Sequence, residues 1–153
     1  MKTITEWLDE YGTHHKNPVN KIIHWICVPL IFFSVVGLLY SVKLPYTVLH
    51  FKLNLAVFAL VFVMLFYQKL SATLSFGMFL FSIVCLFFCN LIEVSGMKLW
   101  FISMLIFIAA WIGQFIGHKI EGEKPSFLDD VQFLLIGPAW LMSFVYKKIG
   151  VKI

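Results

Sequence analysis

Three of the chain's five histidines lie close together, immediately before a long apolar segment, in the stretch YGTHHKNPVNKIIHWICVP (residues 11–29). Asn17, followed by a proline, is typical of a helix start, because asparagine is a preferred N-cap and proline suits the first helical position. Asn20 and His24 are four residues apart and therefore share one face of that helix. His15 precedes the cap, so a loop can fold it back towards Asn20 and His24.

A second polar motif, WIGQFIGHKIEGEKPSF (residues 111–127), ends another apolar segment. Trp111, Gln114 and His118 are spaced by three and four residues, which places them in one stripe along a helix. Glu121 continues this stripe if the helix runs one turn further. Two separate segments thus each carry polar side chains to the end of an apolar helix.

The side chains of these two motifs suit a divalent transition metal with open coordination positions. Imidazole is a common ligand of such metals, and carboxylate and amide neighbours orient the ligands. Ionisable groups inside a membrane are costly and usually mark functional sites. We therefore expect His15, His24 and His118 to form one site.

The remaining histidines and the cysteines have ordinary structural explanations. His14 and His50 are expected to be capping or interfacial residues. Cys27, Cys85 and Cys89 all fall in apolar stretches, and no second pair of ligands accompanies them. We expect three buried, unreactive thiols.

The composition indicates an integral membrane protein of a single domain, residues 1–153. The chain is 61% hydrophobic and only 13% charged, and its mean hydropathy is +0.91. Soluble domains carry about 25% charged residues. The net charge of +4 comes from scattered lysines without any arginine, which argues against nucleic acid as a partner and leaves the lipid bilayer as the expected one.

Long runs without charged residues predict an all-α, polytopic helix bundle with four membrane spans. A crossing needs about 20 residues. The second run has only 16 residues, but Lys52 and Lys69 at its ends can extend their ammonium groups to the membrane surface. The four predicted spans are residues 22–42, 53–68, 70–92 and 99–118.

Two further segments are expected to lie at the membrane surface. Residues 3–11 place Trp7, Leu8 and Tyr11 on one helical face, which is typical of a short interfacial helix. A fifth apolar run, residues 131–146, is interrupted by a Gly-Pro pair. It can form a re-entrant segment, an interfacial helix or a short fifth span, and we favour the options that do not cross.

Four crossings would return the chain to the side on which it started, so both polar motifs would lie at one membrane surface. The histidine side would then carry nine lysines and the other side three. The positive-inside rule places the larger number in the cytoplasm. The nine lysines are residues 2, 16, 21, 69, 119, 124, 147, 148 and 152, and the three are residues 43, 52 and 98.

The motifs HKNPVNKIIH, followed by VP, and WIGQFIGH, followed by a glutamate and KPSF, resemble those of the membrane-bound 2-hydroxy fatty acid dioxygenase family. Members act in fatty-acid α-oxidation in the fungal endoplasmic reticulum, and bacteria have many relatives. The resemblance spans nearly the whole chain. It implies an iron(II)-dependent oxidoreductase that uses dioxygen, needs no organic cofactor and converts a long-chain 2-hydroxy fatty acid to the acid one carbon shorter.

The resemblance also implies roles for individual residues. His15, His24 and His118 correspond to the iron ligands, and Glu121 to either a fourth ligand or a partner of the ligands. Two spacings depart from the fungal pattern: Glu121 lies one residue closer to its histidine, and Lys16 separates His15 from the asparagine. The residues expected to support the ligands or to contact substrate are Asn17, Asn20, Trp111 and Gln114.

A 2-hydroxy acid can chelate a metal through its carboxylate and hydroxyl groups while its acyl tail lies between the spans. A bacterial cytoplasmic membrane, with the site on its cytoplasmic side, is the expected location, or the endoplasmic reticulum in a eukaryote. Two other functions stay open at this point. A zinc-dependent membrane hydrolase could use the same histidines, and a non-enzymatic membrane binding or assembly protein would use its polar residues for helix–helix hydrogen bonds.

Overall fold

A computed structural model describes residues 2–48, 51–122, 124 and 132–153 of the chain. This part is helical, as predicted, except for one short β-hairpin that the sequence analysis did not predict. His50, residues 125–127 of the KPSF motif and residue 131 of the fifth apolar run lie outside the described residues. The elements are, in chain order, α1 (Ile4–Thr13), α2 (Pro18–Ser41), β1 (Lys43–Val48), β2 (Phe51–Asn54), α3 (Leu55–Leu70), α4 (Ala72–Val94), α5 (Leu99–Glu121) and α6 (Phe133–Ile149).

Three of the described helices, α2, α4 and α5, are long and apolar enough to cross a membrane. Each has 23 or 24 residues, and large apolar side chains such as Phe76, Phe87 and Phe115 are exposed on α4 and α5. Helix α3 is apolar but has only 16 residues, a length of about 24 Å. A membrane helix bundle with three candidate crossings therefore agrees with the structure, and the fourth crossing stays a prediction.

Helix α2 begins at Pro18, four residues before the start of the apolar run. The side chain of Asn17 caps it: its Oδ1 accepts a hydrogen bond from the backbone N–H of Val19 at 2.9 Å. A capping side chain determines where a helix starts more directly than the end of an apolar run does. The extra turn brings Asn20 into the helix, as its spacing from His24 predicts.

Helices α2 and α5 pack closely against each other and run antiparallel. Near one end of the pair Gly37 lies against Ser103, and near the other end Gly117 lies against Asn20. A Cβ at Gly117 would collide with the Asn20 side chain, so the absence of a side chain there permits the contact. This packing brings the first turns of α2 to the last turns of α5.

The β-hairpin closes the end of the bundle at which α2 ends and α3 begins. Its strands pair antiparallel, with Lys43 opposite Asn54, and Lys43 forms an ion pair with Glu93 at the end of α4 (Nζ···Oε2 2.8 Å). The Asn54 side chain caps α3 by accepting from Val57 N–H at 3.3 Å. No strong period-two pattern marks these strands in the sequence, so the sequence does not predict them.

Helix α1 packs against α6 at the opposite end of the bundle. It starts with a capping box in which Glu6 N–H donates to Thr3 Oγ1 and Thr3 N–H donates to the Glu6 carboxylate. Its buried Trp7 packs edge-on against Phe133, with ring centroids 5.4 Å apart. The predicted N-terminal helix is therefore present, and its apolar face is covered by α6.

Helix α6 runs without interruption through Pro138. Two tyrosines attach it to the ends of the neighbouring helices: Tyr67 donates to the Leu135 carbonyl at 2.7 Å, and Tyr146 donates to the Thr73 carbonyl at 2.6 Å. Among the described helices, α6 is not one of the three candidate crossings. Its contacts with α1, with the end of α3 and with the start of α4 place it at the end of the bundle where α2 begins and α5 ends.

Candidate metal centre

His15, His24 and His118 come together at this end of the bundle, and we call them the histidine cluster. His15 lies in the turn between α1 and α2, His24 in α2 and His118 in the last turn of α5. All three are buried, with relative exposures of 1%, 1% and 5%. One nitrogen from each ring lies within 4.8 Å of the corresponding atoms of the other two. Separate elements thus deliver three potential ligands to one point.

The rings of His15 and His24 are oriented by backbone carbonyls one helical turn earlier. His15 Nδ1 lies 2.7 Å from the Tyr11 carbonyl oxygen, and His24 Nδ1 lies 3.0 Å from that of Asn20. Because a carbonyl oxygen can only accept a hydrogen bond, each Nδ1 must carry the proton. Each neutral ring therefore presents an unprotonated Nε2. Metal-binding histidines are typically held by such hydrogen bonds from the other ring nitrogen.

The two Nε2 atoms of His15 and His24 face each other at 2.9 Å. With both rings neutral, the lone pairs of the two nitrogens would point at each other and repel. A proton or a metal cation between the nitrogens removes this repulsion. Burial lowers the pKa of His15 below its ordinary value, with only partial opposition from the Tyr11 carbonyl and the Glu121 carboxylate, so a proton is disfavoured. Two nitrogens about 2.1 Å from one metal, at right angles, would lie about 3.0 Å apart.

His118 completes the cluster. Its ring centroid lies 5.3 Å from that of His15 and 5.0 Å from that of His24. Its buried Nδ1 has no hydrogen-bond partner among the described residues. A buried polar atom without a partner costs about 1–3 kcal/mol, so this nitrogen is available to a ligand. The donor set therefore fits a divalent transition metal.

Glu121 lies beside the histidine cluster but contacts the start of α2. One carboxylate oxygen accepts from the backbone N–H of Lys16 at 2.8 Å and of Asn17 at 3.0 Å. The other accepts from Asn17 N–H at 3.0 Å and from the Asn20 side-chain amide at 2.8 Å. The N–H groups at a helix start are otherwise unpaired and favour an anion. Glu121 thus joins the end of α5 to the start of α2.

The two asparagines of the first motif contact the start of α2, His24 and Glu121. Asn17 caps α2, and Asn20 supplies both the carbonyl that orients His24 and the amide that binds Glu121. His14 ends α1 as its C-cap residue and is not among the histidines whose ligand atoms converge.

Gln114 and Trp111 line an apolar cavity of about 400 Å³ that begins at His118. Gln114 is buried, and its Nε2 has no hydrogen-bond partner within the described ranges. Trp111 packs between Phe107 and Phe115, with ring centroids 6.0 and 5.8 Å away. The volume is within the range of small-molecule sites. The cavity extends from the histidine cluster between α2, α3 and α5, and part of α6 covers its mouth.

A second cavity, of about 750 Å³, lies on the other side of His15. Trp140 and residues of α1 form part of its wall, and its lining is considerably more polar than that of the first cavity. Four lysines at its border give it a positive charge. These are Lys16, Lys21, Lys147 and Lys152.

Two residues next to the cluster were not predicted as part of the site. Tyr11 stacks on His15, with ring centroids 4.2 Å apart and planes inclined by 15°, and Trp140 lies 5.4 Å from His15. The four-residue spacing from Tyr11 to His15 is present in the sequence, but an interfacial helix there does not indicate that Tyr11 contacts the cluster. The placement of Trp140 depends on the packing of α6, which no local pattern indicates.

Residues 1–149 match the family described as 2-hydroxy-palmitic acid dioxygenase Mpo1-like. The chain belongs to this family. The match to the Mpo1-like family extends over both histidine motifs, and it confirms the resemblance stated above.

One curated relative is the 2-hydroxy-palmitic acid dioxygenase MPO1 of Saccharomyces cerevisiae (strain ATCC 204508 / S288c). The two sequences are 31% identical over 140 residues, which is 90% of this chain and 76% of the yeast protein. No solved structure matches the chain.

Proposed function

We propose that this protein is an iron(II)-dependent dioxygenase that shortens a long-chain 2-hydroxy fatty acid by one carbon at a membrane surface. The observation that carries the proposal is the position of the histidine cluster, with its facing Nε2 atoms, at the mouth of an apolar cavity. Membership in the Mpo1-like family supports the reaction and the substrate class.

His15, His24 and His118 are the residues that would hold the iron. Bound there, iron(II) supplies redox and Lewis-acid chemistry towards dioxygen and the substrate carboxylate. Three neutral ligands leave coordination positions for substrate. Tyr11 keeps the His15 ring in place by stacking, and the carbonyls of Tyr11 and Asn20 keep the Nε2 atoms unprotonated.

The apolar cavity would hold the acyl tail, and the substrate's carboxylate and hydroxyl groups would lie at the histidine cluster. Gln114 is the buried side chain at this junction with an unpaired amide donor, so it can donate to a substrate oxygen. The lysine-bordered cavity beside His15 attracts a carboxylate from the membrane surface. Holding the reacting carbon near its partners supplies much of the rate.

The overall reaction balances with one dioxygen. The bond between C1 and C2 breaks, C2 is oxidised from a secondary alcohol to a carboxyl group, and C1 leaves as carbon dioxide. These changes release four electrons, which reduce dioxygen to the oxygen of the new carboxyl group and one water. No organic cofactor is needed.

We further propose four membrane crossings, with the short α3 as the second, and the histidine cluster on the cytoplasmic side of a bacterial cytoplasmic membrane. Helix α3 would cross with the help of Lys52 and Lys69 near its ends. Lys43 and Glu93 would then lie at the opposite surface, beside the hairpin.

The test is turnover by purified protein loaded with iron(II). A long-chain 2-hydroxy acid should be converted to the acid one carbon shorter with consumption of oxygen, and the unhydroxylated acid should be inert because it cannot close a chelate ring through two oxygens. Zinc-loaded protein and anaerobic samples are the controls. Consumption of the 2-hydroxy acid without oxygen, or a product that retains all its carbons, would refute the proposal.

A further inference from the structure

The polar groups of the apolar cavity are confined to one end. His118, Gln114 and the Tyr11 ring lie at the mouth, whereas the rest of the lining consists of aliphatic side chains, phenylalanines, the Trp111 ring and backbone of α6. Its deepest residues are Leu39 of α2 and Ala56 of α3, which lie towards the hairpin end. A molecule that fills this cavity must therefore be polar at one end and apolar over its remaining length.

The length of the cavity can be read from the helices that line it. The mouth lies at His118, whose ring is beside that of His24 of α2, and the deepest lining residue of α2 is Leu39. From His24 to Leu39 is fifteen residues, or about 22 Å at the rise of an α-helix. A chain of tetrahedral carbons with single bonds of about 1.5 Å advances about 1.25 Å per carbon when extended. The cavity thus accommodates a tail of about 18 carbons.

There is space at the deep end of the cavity because the side chains of α3 that line it there are small. Ala56 and Ala59 are three residues apart, share one face of α3 and both line the cavity, followed by Leu60 and Val63 nearer the mouth. Helix α3 starts directly after the hairpin, with Asn54 as its cap, so its first turn is fixed in position at the closed end. Side-chain size at these two alanines therefore sets the depth that a tail can reach.

We propose that Ala56 and Ala59 determine the length of the acyl chain that the protein accepts, with Leu39 as the opposite wall of the deep end. The proposal rests on the proposed function, because it takes the tail of a 2-hydroxy acid as the occupant of the cavity. The preferred substrate has about 20 carbons, of which two lie at the histidine cluster and about 18 in the cavity.

The experiment measures the chain-length profile of turnover with 2-hydroxy acids of about 10 to 26 carbons, chosen to span roughly the range on both sides of the cavity length. Ala56→Leu should lose turnover of the longest acids by about tenfold or more and keep that of the shortest. Ala59→Leu acts one helical turn nearer the mouth, about 4.5 Å, and should lower the limit by about three to four further carbons. Leu39→Ala should extend the limit instead.

The matched control is Ala109→Leu, at an exposed alanine on α5, which should leave the profile unchanged. Thermal stabilisation of the purified protein by the same acids, measured without added iron, provides a second readout that does not depend on turnover. If the wild type oxidises none of these acids but is stabilised by them with the expected length limits, the proposed function fails and the assignment of the two alanines stands.

An unchanged profile in both alanine variants would overturn the proposal. A loss of equal size at every chain length in these variants, combined with an unchanged limit in Leu39→Ala, would overturn it as well. Because Leu39→Ala removes volume and Ala56→Leu adds it, at least one variant remains informative if the other does not fold.

Discussion

Glu121 offers the sharpest test of how the site is built, because its carboxylate could have either of two roles. It could be a metal ligand, or it could be a brace, by which we mean a side chain that holds the end of α5 against the start of α2. Its two oxygens accept hydrogen bonds from the backbone of Lys16 and Asn17 and from the side chain of Asn20. We predict that Glu121→Gln weakens metal binding without abolishing it. The amide keeps one accepting oxygen, but its nitrogen faces N–H donors and cannot replace the second.

The size of the effect follows from these contacts. Hydrogen bonds to a charged group contribute about 1.5–3 kcal/mol each when buried, but Glu121 is partly exposed, so solvent screening reduces this. Losing the charge and the hydrogen bonds at one oxygen should destabilise the first turn of α2 by about 1–3 kcal/mol. That corresponds to about tenfold to hundredfold in metal affinity.

The assay is competitive metal titration of the purified variant against a chelator, with amide hydrogen exchange at Lys16 and Asn17 as the structural readout. Exchange at these two amides should accelerate. Glu93→Gln is the matched control, because Glu93 pairs with Lys43 at the other end of the bundle. If Glu121→Gln loses bound metal as completely as His118→Ala does, Glu121 is a metal ligand and not a brace. If the metal affinity of Glu121→Gln is within twofold of the wild-type value, both roles are refuted.

Alanine substitution of any one member of the histidine cluster should remove most bound iron and nearly all turnover, whereas His14→Ala should retain both; full iron occupancy in a cluster variant would exclude that histidine as an essential ligand. Single cysteines placed at Lys16 and Lys119 should label from the same side of the membrane, and labelling from opposite sides would contradict the four-crossing topology. Gln114→Leu should keep iron but lower turnover of a 2-hydroxy acid about tenfold, the effect of one lost hydrogen bond of about 1.4 kcal/mol, and unaltered turnover would remove Gln114 from substrate binding.

The parts of the molecule that the sequence predicts well are those governed by local rules. The apolar runs locate the long helices, and Asn17 with the following proline marks the start of α2. The same helical periodicity places Asn20 with His24 and Gln114 with His118. Bringing His24 and His118 together also requires the antiparallel packing of α2 against α5. Four crossings predict that these two helix ends lie at one surface, but not that the two helices are neighbours.

Other features depend on packing between distant segments, and no local pattern indicates them. The strand at Lys43 and its partner strand pair through backbone groups, which any sequence possesses. The cover that α6 forms over Tyr11 depends on contacts between the two ends of the chain. For Glu121 the sequence left two roles open, because the choice between a metal and backbone N–H groups is decided by distances of a few ångströms.

The charges at the candidate site explain why a carboxylate is better used as a brace than as a ligand. With three neutral imidazoles as ligands, a bound divalent ion would retain its full charge at the mouth of an apolar cavity, where electrostatic interactions are stronger than in water. A carboxylate from the protein would cancel part of that charge before substrate arrived. With Glu121 directed to the start of α2, the anionic headgroup of a 2-hydroxy acid would supply the compensating charge itself. Substrate binding would then cancel one of the ion's two charges, and a neutral ester of the same acid should bind poorly even though its tail fits the cavity.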